Sequence, residues 1–314
     1  MRLILCPEIF DLPKSHEFPD DAVAFFCFED FSVGPLGNWR NPSEFKKSRA
    51  AFWQNSTIFD LPDGSKMPYS AWMQFLPRYD LVEMIRSGVY TDDVPVSRDF
   101  EEVAAQATTI EIWRDRTASG EVLQWYLSAM LPILGVDLGR VSVCLFTHPI
   151  SRKQPNAFWS DMLSDAPDRG VPALRPSPSD WQHMSMCWDA ITHLPDPIDA
   201  FLLETPDDHA LHALEMMKGR FPDVVTGLTN IQARLLRAAA DDWRKMIRTL
   251  SDAMIAGDDA HDAIRLYSLE ASLNEMVQMP DPLIEKRGEG PIRNCEVRLT
   301  SLGQRKLSLI GDRL

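Results

Sequence analysis

No glycine loop of the phosphate-cradling kind occurs in this chain, neither GxGxxG nor GxxxxGKS/T. Ordinary dinucleotide and Walker-type nucleotide binding are therefore disfavoured. A GxSxG elbow is missing too, which removes the usual serine-hydrolase arrangement. No HExxH motif is present. His209 and His212 stand at i, i+3, and His183 and Cys187 at i, i+4, on shared helix faces. Neither pair has a third ligand at a telling spacing, so packed or surface histidines account for them, and no metal or cofactor is expected. No apolar run approaches the roughly 20 residues that cross a bilayer, so no membrane partner is expected. The opening stretch MRLILCPEIF is too short in its apolar part for a secretory signal and reads as a buried first strand. The five cysteines are odd in number, far apart and without a CxxC pair. Reduced thiols in a cytoplasmic protein are the simplest account.

At 45% hydrophobic and 25% charged residues, the composition is that of a globular protein, and 314 residues suggest two domains. The formal charge of −14 is unevenly spread. From Thr226 to the end, 13 basic residues balance 13 acidic ones, so residues 1–225 carry the whole excess. An acidic body repels phosphate backbones, and only the neutral C-terminal part stays a candidate for nucleic acid.

Four runs read as buried strands: Arg2–Cys6, Ala22–Phe28, Thr109–Trp113 and Val141–Phe146. Each is continuously apolar or β-branched, the pattern of a parallel sheet covered on both faces. Between the third and fourth lies SGEVLQWYLSAMLPIL, with Val122, Leu123, Tyr126, Leu127, Met130 and Leu131 at helical spacing, which makes a βαβ unit. Tyr69–Gly88 also reads as helical, kinked or broken at Pro77. A loop-rich stretch from Ser151 to Pro178 surrounds a short Trp159–Leu163 helix. Ser179–Thr192 and Asp207–Phe221 read as helices opened by capping residues after proline. Trp72, Trp125, Trp181, Trp188 and Trp243 read as core and interdomain packing.

Helical patterns then cover Asn230–Ala240, Trp243–Ala256 and Asp259–Met279. Two strand-like pieces flank a Gly-Glu-Gly turn, and SLGQRKLSLIG closes as a helix. Three helices, a hairpin and a last helix is the order of a winged helix-turn-helix. The predicted fold class is α/β, a small parallel sheet covered by helices, plus a C-terminal winged-helix-like α+β domain. The predicted boundaries are 1–150 for the α/β domain, 151–225 for a helical connector packed on it, and 226–314 for the winged-helix-like domain.

The segments FEDFSVGPLGNW, RAAFW, IEIWRDRTASGEVLQWYL, WDAITHLPDP, GLTNIQARLL and VRLTSLGQRKL occur in this order over nearly the whole chain. Together they resemble the bacterial domain-of-unknown-function family DUF1835 with its C-terminal partner DUF3658. The family often has GDS after the first strand, where this chain has Cys6-Pro7-Glu8. It also tends towards an Asp/Asn- and Gln-rich stretch after the Trp113 strand, where this chain has RDRTASGE. The resemblance implies an architecture and brings no established chemistry.

In an open parallel sheet, ligands bind outside the carboxyl ends of the strands at a switch point. That rule collects Glu8, Glu29, Asp30, Ser32, Arg114, Asp115, Thr147 and His148. It requires Ala22–Phe28 and Thr109–Trp113 to be adjacent and parallel. Ser119-Gly120, with Arg114 and Arg116 nearby, offers amide groups to an anion, although helix capping by Ser119 explains the same residues. The candidate ligand-binding set is Glu29, Asp30, Ser32, Arg114, Asp115, Ser119 and His148, for a small-molecule or anionic ligand. Asp30 capping a turn is the competing explanation. The leading expectation is a regulatory or interaction protein, with a protein partner or self-association through the C-terminal domain. An enzyme using the carboxylates around Asp30 and Asp115 is one alternative. A DNA-binding transcription regulator is the other, disfavoured because the candidate recognition helix carries Asp259, Asp262, Glu270 and Glu275 against Arg265. The wing is mixed, with Lys286, Arg287, Arg293 and Arg298 among Glu285, Glu289 and Glu296. The apolar side chains expected to hold this domain to the acidic body are Leu235, Leu236, Trp243, Ile247 and Leu250.

Overall fold

In a computed structural model, the residues described are 2–7, 22–27, 29–54, 56, 73–76, 100–114, 118–145, 173–193, 208–255 and 264–311. Five strands, β1 (Arg2–Pro7), β2 (Ala22–Cys27), β3 (Met73–Leu76), β4 (Thr109–Arg114) and β5 (Val141–Leu145), make one sheet in the order β3-β2-β1-β4-β5. β1 pairs in parallel with β2 on one side and β4 on the other, and β5 extends the parallel run beyond β4. The expected adjacency of the second and third predicted strands is therefore corrected. They are parallel, but β1 lies between them, and the chain ends that leave them do not face each other across one gap. β3 runs antiparallel to β2. It occupies the only described part of the stretch expected to be a helix over Tyr69–Gly88. Pairing with the open edge of β2 overrides the local helical periodicity there, since strand formation depends on context more than on propensity.

The side chains alternate across the sheet as period two requires. Leu3, Leu5, Ile110, Ile112, Val141 and Val143 join one buried cluster with α3 (Ala118–Ile133), while Ile4, Trp113 and Cys144 are buried on the opposite face. α3 is buried on nearly every side, including Glu121, Gln124 and Ser128. The cause is a further layer: α4 (Pro178–Thr192) and α5 (Asp208–Lys218) pack on the face of α3 turned away from the sheet. A helix apolar all round belongs in such a position. Phe31, Tyr126 and Trp188 meet there with ring centroids 4.8 to 5.1 Å apart. α4 starts one residue earlier than expected. Ser177 is its cap, Asp180 closes a capping box, and Pro178 takes the first helical position.

Two further helices had no counterpart in the sequence reading, α1 (Pro42–Trp53) and α2 (Phe100–Gln106). α1 nevertheless opens with a legible start signal, since Asn41 accepts from the Glu44 amide and Pro42 follows it.

The C-terminal part contains α6 (Asn230–Ala238), β6 (Arg244–Lys245), α7 (Met246–Ile255), α8 (Leu266–Gln278), β7 (Ile284–Arg287), β8 (Glu296–Leu299) and α9 (Ser301–Ile310). The three strands form an antiparallel sheet in the order β6-β8-β7. The helix expected from Trp243 begins at Met246, because Arg244 and Lys245 pair with β8 instead. Trp243 is half-exposed, not core. Its ring lies between Arg287, 4.4 Å from the centroid, and Arg298 at 4.7 Å. Trp125, Trp181 and Trp188 are buried as expected, and Trp72 lies outside the described residues, as do Trp159–Leu163. No described helix is long and apolar enough to cross a membrane.

α9 comes so close to the backbone just ahead of β7 that a Cβ on Gly303 would stand 2.1 Å from the Leu283 carbonyl oxygen. Gly303→Ala is expected to destabilise the protein by about 1–3 kcal/mol, as overpacking against backbone does, read from urea unfolding midpoints. Cys144 and Cys187 are both buried, and burial followed by a nearby carboxylate (Glu111 and Glu121 respectively) pushes each thiol up to about 12. Neither should react with iodoacetamide at neutral pH until the chain unfolds. The folded protein holds these protons longer than the unfolded chain, whose thiols titrate near 9.0. Their contribution to stability is thus present below that value and lost as pH rises from there towards 12.

Candidate functional site

The site grows from the chain that leaves β2. Glu29, Asp30 and Ser32 lead into a turn at Gly34, whose φ is +70°. A Cβ there would also sit 2.7 Å from the Phe52 ring and 2.8 Å from Arg49 Nη1, so glycine alone fits. The turn wraps around one side chain. Arg49 is fully buried and projects from α1 on the same face as Phe45, Phe52 and Trp53. Its guanidinium donates to the Glu29 carboxylate and to the backbone carbonyls of Val33, Asp30 (2.8 Å) and Pro35 (3.4 Å). It also lies over the Phe52 and Trp53 rings. The same Glu29 oxygen accepts from Trp53 Nε1 at 3.0 Å and from the Asp30 amide at 3.1 Å.

Asp30 faces the other way. One carboxylate oxygen accepts from the Ser32 amide at 2.9 Å and from the Ser32 hydroxyl. The other accepts from the Ser268 hydroxyl on α8. A second tie runs beside it, with the Ser56 hydroxyl donating to Glu270 at 2.6 Å, and Trp53 meets Tyr267 edge-on at 5.4 Å between centroids. Asp30 thus caps its own turn and fastens it to the C-terminal module. α8 supplies the polar fastening; of the expected apolar contacts, Leu235, Leu236 and Leu250 share a buried cluster with Val33, Phe52 and Trp53 of the body, whereas Trp243 and Ile247 are half-exposed.

Arg114, at the end of β4, pairs with Glu121 at 2.6 Å, in the first turn of α3. Ser119 lies inside that first turn, after the helix has already begun at Ala118, so it does not stand at the cap position. No hydrogen bond or ion pair joins Asp30 to Arg114. Glu8, Asp115, Arg116, Thr147 and His148 lie outside the described residues, so the sheet's carboxyl edge cannot be assembled into a site from those described. Of the sequence candidates, Glu29, Asp30 and Ser32 come together; Arg114 pairs elsewhere, with Glu121 in the first turn of α3, the turn that also holds Ser119. The described residues contain no group of three His, Cys, Asp or Glu side chains arranged for a metal ion.

A cleft of about 270 Å³ opens beside the turn. Ser32, Val33 and Gly34 form one wall. His212 and Glu215 on α5, and Arg220 just after it, form another. The first turn of α6 contributes Asn230 and Gln232, and α8 contributes Ser272 and Glu275. The N-terminal layer, the connector and the C-terminal module all meet at this cleft. Arg220 donates to the carbonyls of Ile191 (3.0 Å) and Gly34, and its Nε has no acceptor among the described residues. No carboxylate among the described residues pairs with it. Burial, and then the neighbouring Arg49 charge, pull its pKa down to about 9. Glu275 moves the other way, as burial raises its carboxyl above the ordinary value. Sequence reasoning had marked Ser32 and, as half of a histidine pair, His212. It missed Arg220, Asn230 and Ser272, which look like ordinary polar positions until the fold brings them together.

No protein-family model matches the chain, and no curated protein matches it.

Removing Arg49 would leave Glu29 charged and buried. Arg49→Met is therefore expected to cost about 3–5 kcal/mol in urea unfolding, whereas Arg49→Met combined with Glu29→Gln should recover a substantial part of that loss.

Proposed function

We propose that this is a ligand-responsive regulatory or interaction protein. In this reading the C-terminal module has a winged-helix-like fold serving protein contact rather than DNA reading, and the junction cleft takes the ligand. The kinship with DUF1835 and DUF3658 belongs to the same reading. The module's order supports it: helix, short strand, two helices, a strand pair and a closing helix, with β6 supplying the third strand that a winged helix has.

One observation carries the function. The helix in the recognition position, α8, is enclosed within the protein itself, packed on α6, α7 and β7 of its own module and tied to the body at Asp30, Ser56 and Trp53. Tyr267, Ser268, Leu269, Glu270, Ala271, Ser272, Leu273, Asn274 and Met276 are all buried, and Ser268 and Glu270 bond to Asp30 and Ser56. A helix buried in this way has no face left for a major groove. The wing does not compensate. Arg287 pairs with Glu296, Arg298 with Glu285 and Lys245 with Glu296, at 2.6, 2.7 and 3.6 Å. Lys286 donates to Asn274. Cations already paired with carboxylates release few counterions from a phosphate backbone.

The test uses the full chain. Binding to mixed-sequence duplex DNA at about 50 and 200 mM salt is expected to be absent at micromolar protein, while thermal-shift screening against small metabolites is expected to give a saturable rise in melting temperature for at least one. Tight DNA binding that falls steeply with salt, with no small-molecule stabilisation, overturns the proposal.

A further inference from the structure

We propose that the junction cleft is a site for a small oxyanion, a carboxylate or phosphate ester bearing a hydroxyl or amine, with Arg220 holding the anionic group and Asn230 and Ser272 completing its hydrogen bonds. This inference rests on the ligand-responsive reading and narrows it to a chemical class.

Arg220 has hydrogen-bonding capacity that the fold leaves unassigned. A guanidinium has five N–H donors. Arg220 directs two of its N–H groups at backbone carbonyls and pairs with no carboxylate among the described residues. Buried charges are ordinarily paired. Here the adjacent charge is another cation, Arg49, which disfavours the protonated form. An anion in the cleft would relieve both the missing pairing and the repulsion. Arg220 also suits that task by its planar, forked donor geometry, which matches carboxylate and phosphate.

The other walls add polar groups with no bond in the structure. The Asn230 carboxamide and the Ser272 hydroxyl line the cleft and make no hydrogen bond with a described residue. Asn230 is brought to the wall by a close approach, since a Cβ on Gly219 would meet its side chain at 2.7 Å. The acids in the lining are two. Glu215 is exposed, while Glu275 is half-buried and its neutral form is favoured by burial. A protonated Glu275 donates to an oxyanion, and an ionised one accepts from a hydroxyl or amine, so the carboxyl fits a ligand that carries both kinds of group. The volume sets the size. Drug-sized ligands fill pockets of about 300–1,000 Å³, so a cleft of about 270 Å³ suits a small metabolite.

The experiment is calorimetric titration and thermal shift of the full chain with inorganic phosphate, glycerol 3-phosphate, malate and citrate. Sodium chloride at matched ionic strength and the neutral polyol glycerol serve as controls. Asn230→Ala and Ser272→Val remove cleft groups that hold nothing else in the fold, and Arg220→Gln removes the charge. At least one oxyanion is expected to bind saturably and raise the melting temperature, with affinity reduced about tenfold or more in each variant that melts like the parent. Preference for the phosphates or for the carboxylates identifies the anionic group. Saturable binding that Asn230→Ala and Ser272→Val both leave unchanged means an adventitious ion only, and overturns the proposal. Glycerol binding that Ser272→Val abolishes, with no oxyanion binding, overturns the oxyanion class and leaves the cleft as a ligand site. Absence of saturable binding for every probe overturns the inference, while the broader metabolite screen continues to decide the ligand-responsive reading.

Discussion

A buried guanidinium organises the junction of this protein. Arg49 enters from α1 into a space without solvent, where an unpaired cation would cost several kcal/mol. The chain after β2 is shaped to satisfy it. Glu29 supplies the countercharge, and the backbone bends at Gly34 so that the carbonyls of Asp30, Val33 and Pro35 point inward as acceptors. Once Glu29 and these carbonyls are committed to Arg49, Asp30 is left facing outward. It then becomes the acceptor for Ser268 on the C-terminal module. The docking of one module on the other is in this sense a consequence of how one arginine is solvated by protein.

The same geometry sets the electrostatics of the cleft. Gly34 gives its carbonyl to Arg220, so the turn that satisfies one arginine also positions a second near it. Two cations close together in a poorly hydrated place disfavour each other. Among the described residues, none of the carboxylates in the acidic first 225 positions is a direct partner of Arg220. Long-range charge bears on solubility and encounter rates, whereas a half-buried guanidinium such as that of Arg220 responds chiefly to groups within a few ångströms.

Much of the layer architecture was legible in the sequence because burial on both faces of a parallel sheet imposes continuous apolar runs. Four such runs became β1, β2, β4 and β5, and the apolar helix between the last two became α3. Two of the missed elements have separate causes. The buried face of α1 reads Phe45, Arg49, Phe52 and Trp53, and a charged residue in its middle breaks the apolar pattern although the spacing is helical. β3 was mistaken for helix because its pairing with β2 depends on the fold and not on its own four residues. Glu29 and Asp30 drew attention as abrupt acids after an apolar run, and they prove to hold structure together. A sequence shows that a carboxylate follows a strand; it does not show the arginine, 20 positions later, that claims it. The cleft was illegible for a stronger version of the same reason. Its groups come from positions 32, 220, 230 and 272, and no local spacing connects them.

That distribution has a thermodynamic consequence. A ligand shifts an equilibrium only by its difference in affinity for the two states. Arg220 and the Ser32–Gly34 turn belong to the body and connector, while Asn230 and Ser272 belong to the C-terminal module. An occupant touching both sides binds the docked arrangement in preference to any arrangement in which α8 has left the body. It therefore strengthens the contacts of Ser268 with Asp30 and of Tyr267 with Trp53 without touching them. An occupant held by Arg220 alone would neutralise charge and leave the docking equilibrium where it was. Polar groups on opposite walls of the cleft are what would let an occupant bear on the docking of the C-terminal module.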